Sequence, residues 1–96
     1  MKPSLVLVSH REAIRRVVAA HRASNARVFG FVIHGDDSEG SDLDILIDPT
    51  PETTLLDIGA IRHELLQFLG VSVDVVTPNA LPAEFRAIVL AEAIPV

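Results

Sequence analysis

With 96 residues and 49% of them apolar, the chain has material for one core of ordinary single-domain size and none for a second, so residues 1–96 are read as a single domain. It has no cysteine, which excludes disulfide frameworks, thiolate metal sites and thiol chemistry and suits a reducing cytoplasmic setting. A net charge of −5, one lysine, no Trp and no Tyr argue against a reader of DNA or RNA, and the apolar run from Leu5 to Val8 falls far short of the ~20 residues of a membrane span.

Ser9-His10-Arg11-Glu12 has the spacing of a capping box and predicts a helix beginning at His10. Ala13, Ile14, Val17 and Val18 recur at helical spacing on one side, and Arg11, Arg15, Arg16 and Arg22 form a basic stripe read mainly as a solvated face. Arg27 to Ile33 is a β-branched and aromatic run of strand type interrupted by Gly30, and the turn-rich stretch from His34 to Ser41 follows as a loop. Leu43 to Asp48, stopped by Pro49, predicts a second strand.

Thr54 to Leu69 carries Leu55, Ile58, Ile61, Leu65, Leu66 and Leu69 at helical spacing, with Gly70 as the stop. Val71 to Thr77 predicts a third strand, and Leu81 to Ala93 a last helix with Phe85, Ile88, Val89 and Ala93 inward. Phe29, Phe68 and Phe85 are read as core residues. The sixteen-residue helix between the second and third strands has the length of a crossover between parallel neighbours. The fold class expected is therefore α/β or α+β, a small mixed sheet backed by helices.

Charge is segregated along the chain. Residues 1–27 hold six basic side chains and one acid, whereas residues 28–96 hold twelve acids and two arginines, six of the acids lying between Asp36 and Asp48. Asp42 and Asp44, two apart on an extended segment, share a face opposite Leu43, Ile45 and Ile47. Asp74 interrupts the third strand in the same way, opposite Val73 and Val75. Aspartate is a poor strand former, and like charges beside a packed sheet repel, so three such residues point to a hard divalent cation and, with it, to the phosphates of a nucleoside triphosphate. A calcium loop starting at Asp36 or Asp37 lacks the required glycine and glutamate, and there is no P-loop motif. Among the histidines only His34, in the loop beside the acids, is a candidate.

The segment FGFVIHGDDSEGSDLDILID, followed by VSVDVVT, resembles the minimal nucleotidyltransferases of the DNA polymerase beta superfamily. These pair a Gly-Ser dipeptide, ten residues and Asp-x-Asp with a third acid on a later strand. Here Gly30-Phe31 is followed by ten residues and then by Asp42-Leu43-Asp44, with Asp74 as the third acid. The resemblance runs from about Ser9 to Val96 and extends to the stand-alone antitoxins that neutralise HEPN ribonuclease toxins.

It implies a polymerase-beta-type fold and AMP transfer from ATP to a tyrosine of the toxin. Asp42, Asp44 and Asp74 would be the catalytic residues and the ligands of Mg2+, with two ions, and Gly30, Phe31 and His34 would lie on the nucleotide side. The implied partner is a HEPN-type toxin in a hetero-oligomer, with no role for DNA or a membrane. Phe31 stands where the family has serine and His34 where arginine is common, and losing one charge-assisted hydrogen bond costs about 1.5–3 kcal/mol, or roughly ten- to a hundredfold. Two readings therefore stand side by side, an active Mg2+-dependent transferase and a catalytically impaired antitoxin that acts by binding alone. Transfer to another acceptor is a third.

Overall fold

The computed structural model describes residues 1–96, with every side chain except that of Phe31. The first helix, α1 (Pro3–Ala20), starts seven residues before the expected position. Pro3 explains part of the difference, since its fixed φ and missing N–H suit the first helical turn. The expected start survives as a break: His10, at φ −131° and ψ 21°, departs from helical geometry, and its Nδ1 lies 2.9 Å from the carbonyl oxygen of Val6. The capping box does not form. Ser9 donates to the Leu5 carbonyl instead, and Glu12 pairs with Arg15 at 2.5 Å. The basic stripe is also less free than expected, because Arg11 and Arg15 donate to the carbonyls of Pro95 and Val96 at 3.2 and 2.7 Å.

The first strand, β1 (Ala23–Phe29), begins earlier than its apolar run and ends before Gly30, where the chain enters a short 3-10 turn, Gly30–Val32. The early start was hidden by a bulge between Ser24 and Arg27, with Asn25 at φ 53°. The extra residue places Ala23 and Ala26, three apart, on the same buried side and so disguises the alternation.

Next come β2 (Leu43–Pro49), α2 (Leu55–Leu69), β3 (Val73–Val76), α3 (Ala83–Glu92) and the two-residue β4 (Ile94–Pro95). α2 carries the capping box that α1 lacks: the Thr54 hydroxyl accepts from the Asp57 amide at 3.2 Å, and the Asp57 carboxylate accepts from the Thr54 amide at 2.9 Å. Gly70 ends it at φ 71°.

The sheet order is β3-β2-β1-β4, with β2 and β3 parallel across the α2 crossover and the other pairs antiparallel. Helices α1 and α2 pack against one face of this sheet. There Ile14, Val18, Ile61 and Leu65 join Val28, Leu43, Ile45, Ile47, Val73 and Val75 in one buried cluster. Leu46, also fully buried, belongs to the other face, where the short turn Pro78–Ala80 packs against β2.

The last helix corrects an expectation. No residue of α3 is buried, and Phe85 and Ile88 are more than half exposed. Helical periodicity identified its apolar stripe correctly, but α1 and α2 already fill the core face, so α3 runs as a strap from β3 to β4. It is held near its start by Arg86, which donates to the carbonyls of Pro78 and Leu81 at 2.8 and 2.9 Å. Phe68 is likewise exposed, standing edge-on to the His10 ring at 5.5 Å between centroids.

Candidate functional site

β2 is the strand that builds the site. Its inward residues Leu43, Ile45 and Ile47 are fully buried among the helices, which forces Asp44 onto the opposite face of the sheet. In register, Asp44 lies between Phe29 of β1 and Asp74 of β3. Because β2 and β3 are parallel, the two aspartates sit side by side on one face, each flanked by core residues pointing the other way. Asp42 precedes the strand and is exposed at its mouth.

The charges act on one another. The Asp44 carboxyl is pushed from its ordinary 3.8 up to about 6, first by partial burial and then by the negative charges of Asp74 and Asp42. Among the described residues no three His, Asp or Glu side chains close into a cluster that holds an ion unaided. Magnesium does not need one, since one or two carboxylates with phosphate oxygens and water complete its shell. An oxygen-only donor set with mutually repelling acids fits such an ion.

Gly30 roofs this carboxylate. Its φ is +79°, and a Cβ built on it would come within 2.5 Å of Asp44 Oδ2. Both facts require glycine, one for backbone conformation and one for space. Beside Asp42 and Asp44, Ser38, Gly40 and Ser41 line an open cavity of about 460 Å3. The loop turns on itself there, with the Ser38 amide donating to Ser41 Oγ at 2.9 Å and the Ser41 amide to the Ser38 carbonyl at 3.0 Å. These serines were not singled out from sequence, where the Ser-x-Gly-Ser pattern read only as a turn.

Of the other candidates, His34 is exposed and its Nε2 lies 3.4 Å from Glu92 at the end of α3, outside the residues lining the cavity. The Phe31 side chain lies outside the described residues. The rest of the acidic cluster separates by role. Asp48 pairs with Arg27 and accepts from Asn25 at 2.9 Å. Asp36 and Glu39 are solvated, and Asp37 is buried.

The raised Asp44 value predicts how stability depends on pH. The folded chain holds this proton more tightly than the unfolded chain, so the contribution is complete below about pH 4 and is lost as pH rises through about 6. A difference of about 2 in pKa amounts to ~3 kcal/mol undiminished, which solvent screening of a part-exposed group reduces to about 1–2 kcal/mol. Asp37 and Asp57 act in the opposite sense, their carboxylates held low first by the backbone amides of Ser4 and Thr54, so their contributions vanish under strong acid. Thermal melts in chelator should therefore give a higher Tm near pH 5 than at pH 7.5. A Tm that rises steadily from pH 5 to 8 would contradict the arrangement.

Comparison with known proteins identifies the family. Residues 10–96 match the nucleotidyltransferase domain family. The match begins at the break in α1, leaving Pro3–Ser9 before it. Protein adenylyltransferase MntA of Thermococcus cleftensis is 30% identical over 89 residues, covering 93% of this chain and 87% of that protein. A provisionally named protein adenylyltransferase of Methanocaldococcus jannaschii is 32% identical over 80 residues, covering 83% of this chain and 86% of that one. A solved structure described provisionally as a minimal nucleotidyltransferase superposes with a TM-score of 0.87 at 41% identity, covering 97% of this chain and 95% of that one. At the level of fold alone, the chain also matches a toxin-antitoxin crystal structure with AMP-PNP, with a TM-score of 0.74 at 16% identity over 88% of this chain and 69% of the other.

Proposed function

Since the chain belongs to the minimal nucleotidyltransferases of the DNA polymerase beta superfamily, we propose that its reaction is the transfer of AMP from ATP to a tyrosine hydroxyl of a HEPN-type ribonuclease toxin, which it neutralises as the antitoxin of the pair. The observation that carries this reading is the register pair Asp44–Asp74 beneath Gly30, with Asp42 at the mouth of the same strand. The name of the Thermococcus relative supports a protein acceptor and an adenylyl donor. The absence of tyrosine from the chain itself requires that the acceptor be external.

In the proposed reaction the acceptor oxygen forms a bond to the α-phosphorus, the α–β phosphoanhydride bond breaks, and pyrophosphate leaves. When bound, Mg2+ supplies charge neutralisation on the triphosphate and acidifies the attacking hydroxyl. Asp42 and Asp44 would hold it, with two ions in the full arrangement, and Asp74 would share the nucleophile-side ion and take the hydroxyl proton. Gly30 leaves room for the Asp44 carboxylate against the backbone, and the amides and hydroxyls of Ser38 to Ser41 supply neutral donors along the wall.

Incubation of the chain with labelled ATP, MgCl2 and the toxin encoded beside it should leave label on the toxin and release pyrophosphate. No label at saturating ATP overturns the reading. If Asp42→Asn with Asp44→Asn still protects cells, the antitoxin acts by occupying the toxin surface, the reading favoured by Phe31 and by the engagement of His34 with Glu92.

A further inference from the structure

Asp37 is the one charged residue among the described residues that is buried, at 6% exposure, and the proposed reaction does not use it. Its Oδ2 accepts a hydrogen bond from the Ser4 amide at 2.9 Å, across 33 residues of sequence. Ser4 lies in the first turn of α1, where Pro3 has no N–H, the Leu5 and Val6 amides reach the Lys2 carbonyl and the Ser4 amide has no intrahelical acceptor. Lys2 at the N-cap provides no side-chain cap. Asp37 is therefore the cap of that helix, delivered from another part of the chain, with its negative charge at the positive end of the helix dipole.

The consequence reaches the cavity wall. Among the described residues, the hydrogen bonds of the loop from Ile33 to Ser41 are otherwise local, apart from the exposed His34–Glu92 contact. Val32 packs into the core just before the loop, and Leu43 is fully buried just after it. Between these anchors Ile33 packs against the core and His34 meets Glu92, and Asp37 is the tie adjacent to Ser38, the first residue that lines the cavity beside Asp42 and Asp44. The tie thus joins the first turn of α1 to the wall of the site.

We propose that Asp37 is a positioning residue that fixes the nucleotide-side wall, Ser38 to Ser41, by docking the loop onto the first turn of α1. This rests on the adenylyl-transfer reading for its effect on ATP, but not for its effect on the loop. Asp37→Ala should speed amide exchange at residues 38–41 and raise KM for MgATP about tenfold with kcat changed less than about twofold, since a wall that binds ground and transition states alike acts on KM. Asp37→Asn keeps the acceptor oxygen and should stay within about threefold of wild type. Ser4→Pro removes the donor at a helical position that tolerates proline. It should reproduce the effect of Asp37→Ala, and the two together should add nothing.

Unchanged exchange at residues 38–41 in Asp37→Ala overturns the proposal whether or not nucleotide is transferred. Faster exchange with unchanged KM also overturns it, because the tie would then serve folding alone. A wild-type chain that neither binds nor transfers ATP refutes the adenylyl-transfer reading instead, and with it the role in ATP binding, while exchange still decides whether Asp37 holds the loop.

Discussion

Asp44→Asn is expected to abolish nucleotidyl transfer, by roughly 10³-fold or more, while making the metal-free protein more stable. The activity loss follows from the central place of this carboxylate, between Asp74 and Asp42 and under Gly30. Removing its charge takes away the ligand common to the proposed metal positions, at about 4 kcal/mol of transition-state stabilisation. The stability gain follows from the same crowding. At pH 7.5 the wild-type carboxylate is ionised against two like charges in a partly desolvated position, and asparagine keeps the shape without the charge. A gain of about 1–2 kcal/mol corresponds to a Tm increase of roughly 5–10 °C for a chain of this size. Melts in EDTA should show the difference at pH 7.5 and its disappearance near pH 5, where the wild-type residue is itself protonated. Mg2+ should raise the wild-type Tm and leave the variant unmoved. A variant less stable than wild type at pH 7.5 would show that Asp44 is not the strained group.

Gly30→Ala is the second substitution with a large expected effect, and it acts through Asp44. Alanine at φ +79° pays roughly 1 kcal/mol for its backbone conformation, and its Cβ would stand 2.5 Å from Asp44 Oδ2, so the carboxylate must move. A displacement of this size at the reacting centre lowers kcat/KM by about 10²-fold. Gly35→Ala separates the two components. Gly35 also has a positive φ, 71°, but open space around it, so its substitution carries the conformational penalty alone and should leave activity within about threefold. In an Asp44→Ala background the obstacle to a Cβ at position 30 is gone, and Gly30→Ala should then destabilise no more than Gly35→Ala does. Equal losses of activity in the two glycine variants would refute the close approach as the reason for glycine at position 30.

Much of the site was legible because it depends on short-range rules. Alternation along Leu43 to Asp48 and Val73 to Val76 placed Asp44 and Asp74 away from the core without knowledge of any partner. The length of the Thr54–Leu69 pattern called for a crossover, and a crossover makes β2 and β3 parallel neighbours. The Thr54–Leu69 pattern and Gly70 marked the ends of α2, because a left-handed glycine stop is a local feature, whereas its Thr54–Asp57 capping box went unread. The same logic misplaced the start of α1. A capping box at Ser9 competes with a helix that continues through it, and the longer helix starts at Pro3 with its first turn capped by Asp37, 33 residues from Ser4 and beyond any local window.

What the sequence determined by itself, then, was the order of elements through α3, the crossover and the face on which the acids lie, since each follows from side-chain periodicity and the reach of a few residues, whereas the two-residue β4 is too short to leave a periodic signal. Tertiary structure alone decided the rest. It divided the six acids between Asp36 and Asp48 into a helix cap, an ion pair, solvated charges and a crowded site, since a carboxylate's role depends on what folds against it. It also set the exposure of α3, since an apolar stripe is buried only where a core face is still open, and α1 and α2 had already closed this one.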